Sequence, residues 1–139
     1  MSSFLKLGAL ATLIAMTTAP TPDHSHKGAT RLATTENVMA GLVHPNYLAI
    51  EDAAKAVKKD PQLWKTLATN AALLNEAGYL LVDDERSLGK DWDNAAEDLR
   101  RLTAAMLVQI DSHDMNGVAR ELKAVSAACV RCHAAHRNR

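Results

Sequence analysis

The chain has 139 residues, a length that fits a single domain. Its 16 basic and 16 acidic residues cancel, so the basic surplus or stripe of a nucleic-acid binder is missing. Only 4% of residues are aromatic while 47% are apolar, Ala and Leu prominent among them, a mix that favours packed helices over strands. The 6 glycines and 4 prolines exclude collagen-like and low-complexity classes, and the 2 cysteines exclude a scaffold stapled by several disulfides.

Residues 1–19, MSSFLKLGALATLIAMTTA, read as a signal peptide. Lys6 supplies the positive start, Leu7 to Met16 is an uncharged apolar stretch, and small residues follow at Thr17, Thr18 and Ala19. The apolar stretch falls short of the about 20 residues that span a bilayer. An uncleaved anchor or a buried helix is the alternative, and Pro20 leaves the cleavage site open. No cysteine lies in this segment, which excludes a lipoprotein anchor. The expectation is export to a bacterial periplasm without stable membrane insertion. Residues 20–33 carry two prolines, His24, His26 and Gly28 and read as a flexible linker. The two histidines are expected to be solvated.

Residues 34–139 carry four helical patterns. Thr34 and Thr35 offer N-caps and Glu36 suits a first turn. Met39, Leu42, Val43, Tyr47, Ile50, Ala53, Ala54 and Val57 then recur at helical spacing. Pro45 falls inside this run, which predicts a kink near His44 or a helix split in two. Asp60 and Pro61 open a second helix as cap and first residue, with Leu63, Trp64, Leu67, Ala71, Leu74 and Ala77 on one stripe ending near Leu81. The polar stretch from Asp83 to Lys90 reads as a loop. Asp91 is placed to cap a third helix that turns Trp92, Ala95, Ala96, Leu99, Leu102, Met106 and Ile110 inward. A turn around Asp111 to Gly117 leads to a last helix with the stripe Val118, Leu122, Val125, Cys129, Cys132, His133 and His136. No run alternates with period two, and the fold class predicted is all-α, an antiparallel four-helix bundle.

The last helix carries Cys129-Val130-Arg131-Cys132-His133, the C-x-x-C-H signature of covalent haem attachment. Two thiols must reach two vinyl groups on one edge of a porphyrin, and the adjacent imidazole must reach the iron. Helical positions three and four apart share a face, so Cys129, Cys132 and His133 can address one macrocycle. Three other readings compete. A thioredoxin-type redox pair should open a helix after a strand, whereas this pair lies late in a helical stripe. A zinc site on Cys129, Cys132 and His136 lacks an evident fourth ligand. A plain disulfide or a chance match loses weight because haem attachment takes place in the compartment to which the leader points.

With these features the chain resembles the class II c-type cytochromes, the cytochrome c′ group. These are exported four-helix bundles whose haem motif lies near the C-terminus. The resemblance covers about residues 34–139 and rests on Met39, Trp92, Cys129, Cys132, His133 and Arg137. It implies one covalent haem c, thioethers at Cys129 and Cys132, His133 as proximal iron ligand and Arg137 beside the haem. A positive charge complementing the helix dipole is the plainer account of Arg137. His136 stands where the group often has an aromatic residue. In low-spin members a methionine of the first helix binds the iron opposite the histidine, and Met39 matches that position. A soft thioether there favours reduced iron and electron transfer. Core filling by Met39, an open sixth position and ligation by His44 are the alternatives; His113, in a polar turn, is discounted. The expected function is single-electron transfer with redox partner proteins, as a monomer or homodimer and without turnover chemistry of its own. An open position would instead make a sensor or scavenger of nitric oxide or carbon monoxide.

Overall fold

The computed structural model describes residues 32–56, 60–83 and 85–137. The expected signal peptide, residues 20–31 of the expected linker, His24, His26 and Val57 lie outside them. Among the described residues the chain is all-helical, with four helices and no strands. None of these helices is long and apolar enough to cross a membrane.

The first helix is built from three consecutive segments, α1 (Thr35–Val38), a π-helical turn (Met39–Val43) and α2 (His44–Lys55). Its start follows from local chemistry. The Thr34 hydroxyl accepts from the Asn37 N–H at 3.1 Å, and the Asn37 side chain accepts from the Thr34 N–H at 3.1 Å. Two of the donors that a helix start leaves unpaired are satisfied together. The helix is not split at Pro45, and the irregularity expected near His44 takes the form of the π-helical turn. Val43 and His44 keep right-handed helical dihedrals, and the His44 N–H donates to the Met39 carbonyl five residues back. The wider turn just ahead of Pro45 takes up the strain that a proline ring places on the preceding turn.

Helix α3 (Pro61–Leu80) starts where the sequence places it. Asp60 is extended, its carboxylate accepts from the Leu63 N–H at 3.0 Å, and Pro61 loses nothing because its missing donor has no partner at that position. Helix α4 (Lys90–Asp111) starts two residues earlier than expected. Gly89, at φ 108°, is its N-cap, so Asp91 sits in the first turn rather than capping it. Such a φ suits glycine because it has no Cβ, whereas an aspartate in the first turn still complements the helix dipole. Helix α5 (Met115–His136) follows a tight turn in which His113 adopts a left-handed conformation at φ 56°.

Helix α4 packs against both α3 and α5, and α2 lies against α3. Ile50, Leu67, Leu74, Met106, Val118 and Val125 are fully buried where these faces meet. Gly78 lets α3 and α4 approach closely, since a Cβ there would lie 3.1 Å from the Ala96 carbonyl. One polar knot crosses the same seam. The Asn75 amide donates 2.7 Å to the Arg100 carbonyl and 3.0 Å to the Thr103 hydroxyl, and that hydroxyl in turn donates 2.7 Å to the Leu99 carbonyl. Thr103 is completely buried, and these bonds remove the cost of a buried unpaired hydroxyl.

Candidate functional site

The late part of α5 carries the cysteines because its helical phase brings positions 125, 128, 129 and 132 round towards the core. Val125 and Ala128 are buried, Cys129 and Cys132 are half-buried, and both thiols are free. Both thiols line a shallow apolar groove together with His133. Helix α4 supplies Trp92, Ala95, Ala96 and Leu99 to the same groove, and the end of α3 supplies Leu81. The first helix contributes Met39 and Val43 to the same lining. The lining is apolar apart from the His133 imidazole, and its alanines leave space where larger side chains would close the gap.

Trp92 fixes one wall. Its indole N–H donates 2.6 Å to the Leu81 carbonyl, joining the start of α4 to the end of α3. Its ring also meets the His136 ring edge-on, with centroids 5.4 Å apart and planes at 89°, a favoured aromatic arrangement. His136 faces a second, more polar hollow lined by Asp91, Asn94, Asp98 and Arg131. The two hollows share Ala95, Ala128 and Cys132 as a common wall. Asp98 bridges to Arg131 at 3.0 Å and to Arg101 at 2.9 Å. The Arg101 hydrogen bond holds the Asp98 carboxyl below its ordinary range against the opposing effect of burial, with further help from the Arg101 charge and from Arg131.

Burial pushes the Cys129 thiol above its ordinary range, with a further push from Cys132, and burial alone does the same to Cys132. Reactive redox cysteines have the opposite setting, an electropositive environment that stabilises the thiolate. The geometry is thus unlike that of a thioredoxin-type pair. Among the described residues no group of three or more His, Cys, Asp or Glu side chains is placed to hold a metal ion, so a zinc cluster on Cys129, Cys132 and His136 is not assembled.

The residues singled out in the sequence therefore divide. Met39, Cys129, Cys132 and His133 line one groove. His133 is exposed rather than part of the buried stripe, because it follows Cys132 directly and so points towards the groove mouth. His44 is exposed and does not line the groove. His113 is exposed too, its ring 4.7 Å from that of Trp64. Arg137 caps α5 through its own N–H, which donates 3.1 Å to the His133 carbonyl, and its side chain is exposed. Two features escaped the sequence reading. One is the Asp98–Arg131 bridge from α4 to the middle of the C-x-x-C-H segment, signalled only by an arginine at one of the variable positions. The other is Asn46, buried on the inner face of α2. The chain matches no protein-family model and no curated protein sequence.

Proposed function

We propose that this protein is a periplasmic c-type haem protein that carries single electrons and belongs with the cytochrome c′ group. The observation that carries the reading is the convergence of Cys129, Cys132 and His133 on an apolar groove that Met39 also lines. The residues fit the group. Two thiols one helical turn apart and an adjacent imidazole are the donor set that covalent haem attachment needs.

Cys129 and Cys132 would hold the haem through thioethers, and His133 and Met39 would be the iron ligands. Bound there, the haem would supply one-electron redox chemistry. Trp92, Leu99 and the alanines of α4 keep water from the groove interior, and a low-dielectric wall tunes the potential of whatever it encloses. Arg131 and Asp98 form an exposed bridge between α5 and α4 beside Cys132.

An antiparallel arrangement of the four helices is part of the same reading. The ring contact of Trp64 with His113, the Asn75 bond to Arg100 and the Trp92 bond to Leu81 pair successively later residues of α3 with successively earlier ones around α4. Short connections between long neighbouring helices favour the same arrangement. Met39 and Cys132, from the first and last helices, then share one end of the bundle.

The test is the mass of protein matured in a periplasm and extracted with acid acetone. One haem per chain is expected, and Cys129→Ala or Cys132→Ala should weaken its retention. A bare polypeptide mass would sink the proposal. For the sixth ligand, the ferric protein should show a near-infrared sulfur-to-iron band that Met39→Ala abolishes. A high-spin spectrum with avid carbon monoxide binding, unaffected by that substitution, would assign the groove to gas binding instead.

A further inference from the structure

Asn46 is a polar side chain at 7% exposure on a face otherwise occupied by Val43, Ile50 and Ala53. Nothing in the proposed haem chemistry calls for an amide there. Its Nδ2 donates 2.6 Å to the Leu42 carbonyl, the fourth residue of the π-helical turn Met39–Val43. Met39, which lines the groove, is the first residue of that turn.

The turn has a cause in the sequence. Val38, Leu42, Asn46 and Ile50 recur at intervals of four, and so do Met39, Val43 and Tyr47. In a regular α-helix each interval of four drifts by about 40° around the axis. Three such steps would carry Val38 well away from the face that buries Ile50, yet both are buried. A widened turn absorbs the drift. Pro45 acts in the same direction. It has no N–H to give the Gly41 carbonyl, and its ring would press on that carbonyl in a regular helix. The His44 N–H instead reaches the Met39 carbonyl.

We infer that Asn46, with Pro45, is a positioning residue that locks the π register of the first helix and thereby holds Met39 in the lining of the groove shared with Cys129, Cys132 and His133. Pro45 cannot make the regular-helix bond to the Gly41 carbonyl, against which its ring would press, and the Asn46 amide ties the start of α2 to the Leu42 carbonyl inside the turn. Reversion to a regular helix would rotate the segment ahead of the turn relative to α2 by roughly one residue, about 100°, and take Met39 off the wall. That Met39 binds iron rests on the function proposed above; its register is a property of the backbone.

The experiment uses the full chain as isolated after periplasmic maturation. Nuclear magnetic resonance couplings across hydrogen bonds report whether the Met39 carbonyl is bonded by the His44 or the Val43 N–H. Oxidation of Met39 by dilute peroxide, followed by peptide mass, reports its exposure. The native chain should show the His44 coupling and slow oxidation. Asn46→Leu should lose that coupling, gain the Val43 coupling and oxidise severalfold faster at Met39. Asn46→Ser, whose hydroxyl can donate to the carbonyl four residues back, should behave like the native chain. If Asn46→Leu does not fold, Pro45→Ala serves, since it restores a backbone donor and improves helix propensity; it should shift the coupling to Val43. An unchanged coupling in the variant read, or Asn46→Ser behaving like Asn46→Leu, overturns the inference. A native chain with the His44 coupling but no sulfur-to-iron band overturns ligation by Met39 and leaves the lock standing.

Discussion

The two ends of the helical assembly are built from different materials. Around the first half of α3 and the second half of α4, Leu67, Met106 and Val118 are fully buried and Ile110 nearly so. At the other end, where Leu81, Trp92 and Cys132 meet Met39, the inward positions of α4 and α5 include Ala95, Ala96 and Ala128, and a groove is left. A helix pair can close only as tightly as its side chains fill the gap. One end spends its inward positions on large aliphatic groups and is finished by its own chain. The other has small residues beside two thiols and lacks the volume to finish itself.

The contrast breaks most sharply under volume changes. Leu67→Ala should cost about 2–5 kcal/mol of unfolding free energy, because it removes buried methyl groups and leaves a cavity. Ala71, fully buried on the same helix, should resist enlargement, with Ala71→Leu costing about 1–3 kcal/mol through overpacking. At the groove end the sign should reverse. Ala96→Leu in the haem-free chain is expected to leave stability unchanged or higher, while blocking haem incorporation. Denaturant unfolding of the haem-free variants and haem content of the matured ones measure both. A loss in Ala96→Leu matching that of Ala71→Leu would show that the two ends are packed alike.

Trp92 sharpens the comparison from the polar side. Trp92→Phe keeps most of the ring volume but removes the N–H bonded to the Leu81 carbonyl. An acceptor left unpaired at a buried position costs about 1–3 kcal/mol, so a drop of that size is expected in thermal unfolding. A drop near zero would mean that solvent already reaches the Leu81 carbonyl.

What the sequence made legible divides along the same line. The start of α3 could be read from Asp60 and Pro61, because a cap and an N1 proline act within four residues. The stripe of α4 could be read because Trp92, Ala96, Leu99, Met106 and Ile110 keep helical spacing without interruption. The first helix could not. Pro45 inside a periodic run signals a kink or a split when only local rules are applied, and the form the irregularity takes, a π turn with the Asn46 amide on the Leu42 carbonyl, depends on which residues face α3. Gly89 was passed over for Asp91 because both suit a helix start, and only the backbone angle separates them. The motif itself was plain in sequence. That Met39 shares its groove was not, because helical spacing within one segment says nothing of which other segment lies opposite.

The thiols respond to pH in a way that the sealed end does not. Burial raises both above the ordinary value of 9.0. The folded haem-free chain therefore favours the protonated form more than the unfolded chain does. This contribution is intact below the ordinary thiol value and is lost as pH rises through the raised folded values. Stability of the haem-free chain should fall there, and Cys129→Ala with Cys132→Ala should flatten that part of the profile. An alkaline fall of equal size in the double variant would assign it to other groups. Alkylation of the native thiols at neutral pH should be slow for the same reason.

The smallest effect expected is at Asp98, on the rim of the polar hollow. Its carboxylate bonds to Arg101 and Arg131, but the side chains are substantially exposed, the Asp98 side chain at 34%. Exposed ion pairs contribute about 0–1 kcal/mol after solvent screening and side-chain entropy. Asp98→Asn should therefore cost about 0.5 kcal/mol or less. The carboxyl is held below its ordinary value of 3.8, which fixes the sign of the pH dependence. The contribution is present above that value and disappears as pH falls through the lowered folded value. The gap between the native chain and Asp98→Asn should accordingly close on acidification and shrink with added salt. Arg131 gives the same pair a second handle. If the Asp98 bridge steadies the C-x-x-C-H segment, Arg131→Ala should speed amide exchange at Cys132 and His133 more than at Val118. Equal changes at both places would reduce the bridge to a surface contact without consequence for the groove.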